Sequence, residues 1–135
     1  MTSRPRKVGT EEESRIVLWF QEHGWPYAKR IAQKGRKDEG DVVLSERIPV
    51  VVESKAVKAW KPSTWIKELE EEVKNAEAKW GFLIIKRVRS TDVGEYYVLL
   101  PLKYLNPILK LLYGDTLKPY KRTNSRVIRR RSSVR

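Results

Sequence analysis

The stretch Gly40 to Lys55, GDVVLSERIPVVVESK, places three ionisable side chains at the ends of the most apolar segments of the chain. Asp41 opens the run Val42–Leu44, and Glu53 and Lys55 close the run that begins at Val50. The stretch reads as two short strands joined by a tight turn at Ser45, Glu46 and Arg47. Strand side chains alternate between faces, so Glu53 and Lys55 share one face and Ser54 takes the other. A hairpin folded about Glu46 brings Asp41 close to Glu53 across the ladder. Two carboxylates so placed repel each other unless something positive lies between them. Mg²⁺ suits such a pair, because it takes a few carboxylate oxygens and fills its remaining positions with water and a substrate phosphate. Lys55, beside the pair, could position a water or neutralise developing charge.

The Glu-x-Lys pattern alone says little. It also occurs at Glu72–Lys74 and Glu77–Lys79, where it falls on a charged helix as surface residues. Only Glu53 and Lys55 follow a buried β-run and meet an Asp at the start of the preceding strand. The competing reading is a surface ion pair at a strand end, with Asp41 as a turn residue.

The elements around this hairpin follow from periodicity. Thr10 to His23 reads as a helix with Thr10 as N-cap and Glu13 at N3, a capping box. Ile16, Val17 and Phe20 form its apolar face and Gly24 ends it. Tyr27 to Ala32 alternates like a strand, and residues 33–40 are a polar loop. Val42–Leu44 and Ile48–Lys55 are the paired strands, and residues 58–62 connect them to the next element. Ser63 to Lys79 is the clearest helix, with Trp65, Leu69, Val73, Ala76 and Trp80 in one stripe. Its other face carries Glu68, Glu71, Glu72, Lys74 and Lys79. Phe82–Val88 and Glu95–Leu100 read as strands around a turn near Ser90–Gly94. Pro101–Tyr113 is an apolar helical region broken or restarted at Pro107. The order α-β-β-β-α-β-β-α predicts an α/β domain with one mixed sheet flanked by helices.

Composition narrows the function classes. The chain has 135 residues, 29 basic and 17 acidic, for a net charge of +12. Eleven of the basic residues lie in the tails, three in residues 1–10 and eight in residues 118–135, neither of which holds an acid. The middle is nearly neutral. Basic arms of this kind bind polyanions, nucleic acid above all, with a solubilising or nuclear-localisation tail as the other reading. The division expected is a basic arm at 1–8, a folded domain at 9–114 and a basic tail at 115–135, disordered when free. There is no cysteine, so neither disulfides nor a thiolate zinc site. One histidine, His23, excludes a two-histidine metal site and reads as a helix-dipole partner. There is no phosphate-cradling GxxxxGK[ST] loop and hence no nucleotide cofactor, and no GxSxG elbow. No apolar run reaches the ~20 residues of a membrane helix, and the first residues do not form a signal peptide. A cytoplasmic location is expected.

The motif EGDVV…PVVVESK resembles the signature of the PD-(D/E)XK nucleases, in which Asp41 matches the first acid, Glu53 the second and Lys55 the lysine. Gly40 stands where those nucleases usually carry proline. GTEEESRIVLWFQEHGW is similar to the opening helix of archaeal-type Holliday junction resolvases, through Gly9, Glu13 and the pair Gly24-Trp25. WIKELEEEVKNAEAKWGFLIIKR looks like the helix and strand that follow the nuclease motif in phage-encoded relatives. The resemblance covers about residues 7–100.

That resemblance implies a restriction-endonuclease-like fold and a Mg²⁺-dependent endodeoxyribonuclease, with Mn²⁺ able to substitute. It implies metal ligation by Asp41 and Glu53, help from the Ser54 backbone carbonyl, and Glu13 reaching the site directly or through water. Glu13 as helix cap competes with that role, and Glu11 and Glu12 are the neighbouring alternatives. It implies a homodimeric resolvase that cuts four-way DNA junctions by paired nicks, in a bacteriophage or bacterial setting. Leu102–Tyr113 or the Trp65 stripe would form the dimer contact. DNA phosphates would meet Arg30, Lys34, Arg36, Lys37, Lys58 and Lys61 around the site, with Lys29 beside them. Trp60 and Trp65 could stack on bases, Trp60 being the one expected at the surface. The alternatives are a repair or restriction-type nuclease of the same fold acting on flaps or duplex, and a non-catalytic nucleic-acid-binding module.

Overall fold

The computed structural model of the protein describes residues 3–31 and 40–116, with side chains from residue 11 onward. The chain divides into two compact units, residues 1–104 and 105–135. The first holds α1 (Ser3–Glu22), β1 (Lys29–Arg30), β2 (Val42–Val43), β3 (Val50–Lys55), α2 (Pro62–Asn75), β4 (Trp80–Ile85) and β5 (Tyr97–Leu99). The last helix, α3 (Leu102–Tyr113), begins at the end of this unit and continues in the second. The element order is the one the periodicity predicts.

The five strands form one sheet in the order β1-β2-β3-β4-β5. Neighbours are antiparallel except β3 and β4, which run parallel over six residue pairs from Val50↔Trp80 to Lys55↔Ile85. Parallel neighbours need a long crossover, and α2 supplies it. A strand covered on both faces reads as a continuous apolar run, which accounts for Val50, Val51 and Val52 all being buried. Val50, Val52 and Ile84 pack with Ile16 and Phe20 of α1, together with Val42, Leu44 and Tyr96. Val51, Leu83 and Ile85 pack with Trp65, Leu69 and Val73 of α2. The protein is therefore an α/β mixed sheet with α1 on one face and α2 on the other.

Several boundaries differ from the expectations. α1 starts at Ser3, so Thr10 lies inside the helix and cannot cap it, and the basic arm is helical from Ser3. Pro5 falls in the first turn, where its missing N–H costs nothing, and Gly9 weakens the interior by only about 1 kcal/mol. The helix ends as expected: Gly24 has φ +101° and Trp25 N–H donates to Phe20 O at 2.9 Å. α2 stops at Asn75, because Glu77 adopts φ 53° and Ala78 N–H closes back on Val73 O at 3.0 Å. Trp80 consequently belongs to β4, not to the α2 stripe, and β4 ends at Ile85. β1 and β2 are two residues each, β3 begins at Val50 and β5 spans Tyr97–Leu99. The turn at Ser45–Arg47 forms as read, with Ile48 N–H on Ser45 O at 3.0 Å.

In the second unit α3 runs through Pro107 without a break and ends in a 3-10 turn at Gly114–Thr116. Leu109, Leu111, Leu112 and Tyr113 are exposed on it. Most of the polar loop, with Lys34, Arg36 and Lys37, and the tail beyond Thr116 lie outside the described residues.

Candidate active site

Val42 pairs with Val52, which sets Asp41, one residue earlier, beside Glu53, one residue later. The backbone of Asp41 is fixed on both sides. Its N–H donates to Val52 O at 2.8 Å and its carbonyl accepts Ile31 N–H at 2.9 Å. Its carboxylate is fixed as well, since Oδ2 accepts the Ser54 amide at 2.8 Å and the Ser54 hydroxyl at 3.1 Å. Ser54 thus serves the site through its two donors and does not turn away from it. Gly40 makes this close approach feasible. Its φ is +105°, and a Cβ there would lie 2.9 Å from Val51 Cγ1 and 3.0 Å from Val52 O, so only glycine fits without strain.

Glu53 is buried near the end of β3 and in hydrogen-bond contact with both Asp41 and Glu72. Burial first, then those two carboxylates, pushes its pKa up to about 12. Glu72 was expected on the solvated face of α2, and it is buried instead. The signal in the sequence was positional: Glu72 lies three residues after Leu69 and beside Val73, inside the arc that faces the sheet.

Lys55 Nζ forms an ion pair with Glu68 Oε2 at 3.0 Å. Burial lowers the Lys55 pKa, but Glu68, Glu53 and Glu72 together outweigh it and hold the ammonium above its ordinary range. The pairing has a simple metric origin. Residues two apart on a strand are separated by roughly 6.6 Å, and residues four apart on a helix rise about 6 Å. Glu53 and Lys55 on β3 therefore match Glu72 and Glu68 on the antiparallel α2.

Glu13 approaches from α1. Its pKa is raised by burial and by the nearby Asp41, and Arg30 opposes that through an ion pair at 3.1 Å. Its neighbour Glu12 is elsewhere, buried and holding Arg15 at 2.7 Å, Lys86 at 3.0 Å and the Tyr96 hydroxyl at 2.9 Å. Glu11 is exposed. Of the three consecutive acids, Glu13 is the one that faces Asp41.

Four carboxylates from four segments therefore meet in pairs: Glu13 with Asp41, Asp41 with Glu53, and Glu53 with Glu72. Among the described residues no three Asp, Glu or His side chains lie together as a group that could hold a metal ion. The donor set fits Mg²⁺ nevertheless, because that ion accepts one or two hard carboxylate oxygens and keeps water in its other positions. Asp41 and Glu53 would hold it.

Among the expected DNA contacts, Arg30 is exposed but paired with Glu13, and Lys58 and Lys61 are exposed on the connector after β3. Lys29 pairs with Glu46 at 2.8 Å. Trp60 is exposed and Trp65 buried, as expected. His23 Nδ1 donates to Trp19 O at 2.7 Å and its ring stacks on Trp19, which keeps it at the end of α1. No helix among the described residues is long and apolar enough to cross a membrane. The chain matches no family model, no curated protein and no solved structure.

Proposed function

We propose that this protein is a Mg²⁺-dependent endodeoxyribonuclease of the restriction-endonuclease-like fold, acting as a homodimeric resolvase of four-way DNA junctions. The observation that carries the reading is the meeting of Asp41, Glu53 and Lys55 at one end of the β2–β3 pair, joined by Glu13 from α1. A structural ion pair at a strand end would not require Glu53 to be buried between Asp41 and Glu72, with Glu13 beside Asp41. A metal-dependent phosphodiester hydrolase uses such carboxylates to hold a cation, and the cation meets the charge that develops on the phosphate oxygens.

The bound cation would polarise the scissile phosphate and lower the pKa of an attacking water. Asp41 is positioned for its part by the two Ser54 donors, which both fall on Oδ2. Glu53 supplies the second oxygen from inside the sheet. Lys55 keeps a full positive charge at neutral pH and offers it to the phosphate or to water. Glu13, balanced by Arg30, adds a further acceptor for a water on the α1 side. The basic tails add phosphate affinity without chemistry, and two copies related by a two-fold axis match a two-fold symmetric junction.

The test is cleavage of labelled four-way junction, flap and linear duplex, with Mg²⁺ and with EDTA, by the wild type and by Glu53→Ala. The expected result is Mg²⁺-dependent paired nicking of the junction, absent in the variant while DNA binding persists. A wild type that binds junctions but cuts no DNA with Mg²⁺ or Mn²⁺ overturns the reading.

A further inference from the structure

Lys55, Ile85 and Tyr97 lie in one row across the sheet, since Lys55 pairs with Ile85 and Ile85 with Tyr97. Partners in a row share a face, so Tyr97 lies on the same face as Lys55 and Glu53. Tyr97 is 48% exposed, and beside it stands Trp60, 47% exposed. The two rings meet edge-on with centroids 5.8 Å apart. Trp60 leans in turn on the buried Trp65, with centroids 6.0 Å apart and the rings tilted by 48°. The Arg87 guanidinium lies 5.3 Å from the centre of the Tyr97 ring.

Trp65 already closes the core on this face, so Trp60 is not needed to fill it. The charges around Trp60 favour an anion. Lys55, Lys58 and Lys61 occur within seven residues that contain no acid. Two of the acids near this corner are matched by cations, Glu68 by Lys55 and Glu95 by Arg87 at 3.7 Å.

We infer that Trp60, braced by Tyr97 and Trp65, is a stacking platform for an unpaired nucleobase of the DNA substrate. Exposed aromatic rings set among cations are the standard means of holding a single-stranded base, and stacking tolerates any sequence because every base has a π-face. Lys58, Lys61 and Arg87 would meet the phosphates on either side. Intact duplex presents no free base face, whereas a branch point or a flap does, so the platform selects DNA with an unstacked nucleotide. Where that nucleotide lies relative to the cut rests on the nuclease reading, through the row shared with Lys55. The stacking itself does not depend on that reading.

The experiment uses four-way junctions and flaps carrying 2-aminopurine at each position around the branch, with the full-length wild type, Trp60→Ala, Trp60→Phe and Tyr97→Ala. Binding is read in EDTA by 2-aminopurine fluorescence and by titration, and cleavage separately with Mg²⁺. The expected result is a strong fluorescence change at one position near the branch on wild-type binding. Trp60→Ala loses it and binds branched DNA about tenfold or more weakly, with linear duplex binding unchanged, and Trp60→Phe restores most of both. A wild type that shows this pattern yet never cleaves keeps the platform and removes the nuclease reading. Equal binding and fluorescence change for the wild type and a folded Trp60→Ala overturn the platform. So does a Trp60→Ala variant whose mass in solution changes, since the rings would then be a contact between copies.

Discussion

Lys55 Nζ lies 3.0 Å from Glu68 Oε2, so the lysine proposed to face the phosphate is held by the helix that follows its strand. Glu68 is half-exposed and its pair with Lys55 is worth less than about 1 kcal/mol to stability. Its use is to fix where the ammonium sits. Glu68→Ala should lower the single-turnover cleavage rate by about tenfold, within the ~100-fold that an ångström of misplacement can cost. Lys55→Ala should fall further, with metal affinity retained in both. Single-turnover kinetics and calorimetric Mg²⁺ titration separate the two effects.

Glu53 binds its proton more tightly in the folded chain than in the unfolded one, with a pKa of about 12 against an ordinary 4.5. Below pH 4.5 both states hold that proton and the contribution to stability is complete. As pH rises from there toward 12 the folded state must give up more, so stability falls, by at most about 1.4 kcal/mol per pH unit. The metal-free melting temperature should therefore drop between pH 5 and pH 8. Glu53→Gln should flatten the drop, and Mg²⁺ should raise the melting temperature more at pH 8 than at pH 5. Scanning calorimetry across that range, with EDTA and with Mg²⁺, gives the answer.

Gly40 combines a left-handed backbone with a backbone carbonyl 3.0 Å from where a Cβ would be. Gly40→Ala should cost about 1–3 kcal/mol. Gly40→Pro, which would restore the residue usual in the resembled nucleases, should be worse, because proline fixes φ near −65°. Denaturant midpoints at constant m-value would measure both, and an unperturbed Gly40→Ala would show that the lead-in to Asp41 is differently shaped.

Adjacent residues on α1 should behave as opposites. Glu12→Ala strips a buried carboxylate from Arg15, Lys86 and Tyr96 and should destabilise by about 2–3 kcal/mol, reduced from the full cost of a broken buried pair because Arg15 and Lys86 reach solvent. Tyr96, whose pKa is pushed up to about 12 by burial and by Glu12, should then titrate lower. Glu13→Ala should change stability by less than about 1 kcal/mol and remove cleavage. Thermal melts beside junction cleavage would show the exchange of phenotypes.

Much of this arrangement was legible in the sequence because strand alternation and turn chemistry are local. Asp41, Glu53 and Lys55 follow from one hairpin whose register the Ser45–Arg47 turn sets. The length of α1 was not legible, because a basic stretch with Gly9 and Pro5 gives no apolar period to read. The place of Glu72 was missed for a different reason. Its position between Leu69 and Val73 marks the arc that meets β3, but a glutamate there is masked by the charged run around it. The partners of Lys55 and Glu13, namely Glu68 and Arg30, come from elements whose approach is set by tertiary packing.

The hydrogen bond from the Tyr96 hydroxyl to Glu12 spans 84 residues, and it acts as a clasp between the first helix and the segment entering the last strand. Closing so long a loop carries an entropy that grows only with the logarithm of its length, but it must be met before the contact rewards it. During synthesis α1 emerges first, yet its buried acid has no Tyr96 and no Lys86 to hold until nearly the whole sheet has left the ribosome. Glu13 is the next residue along, so the clasp also bears on where the α1 acid sits beside Asp41. A chain ending before Tyr96 would keep the contacts of Ile16 and Phe20 with Val42, Val50 and Val52 but lack the clasp, so the seat of α1 beside Asp41 would be less firmly set.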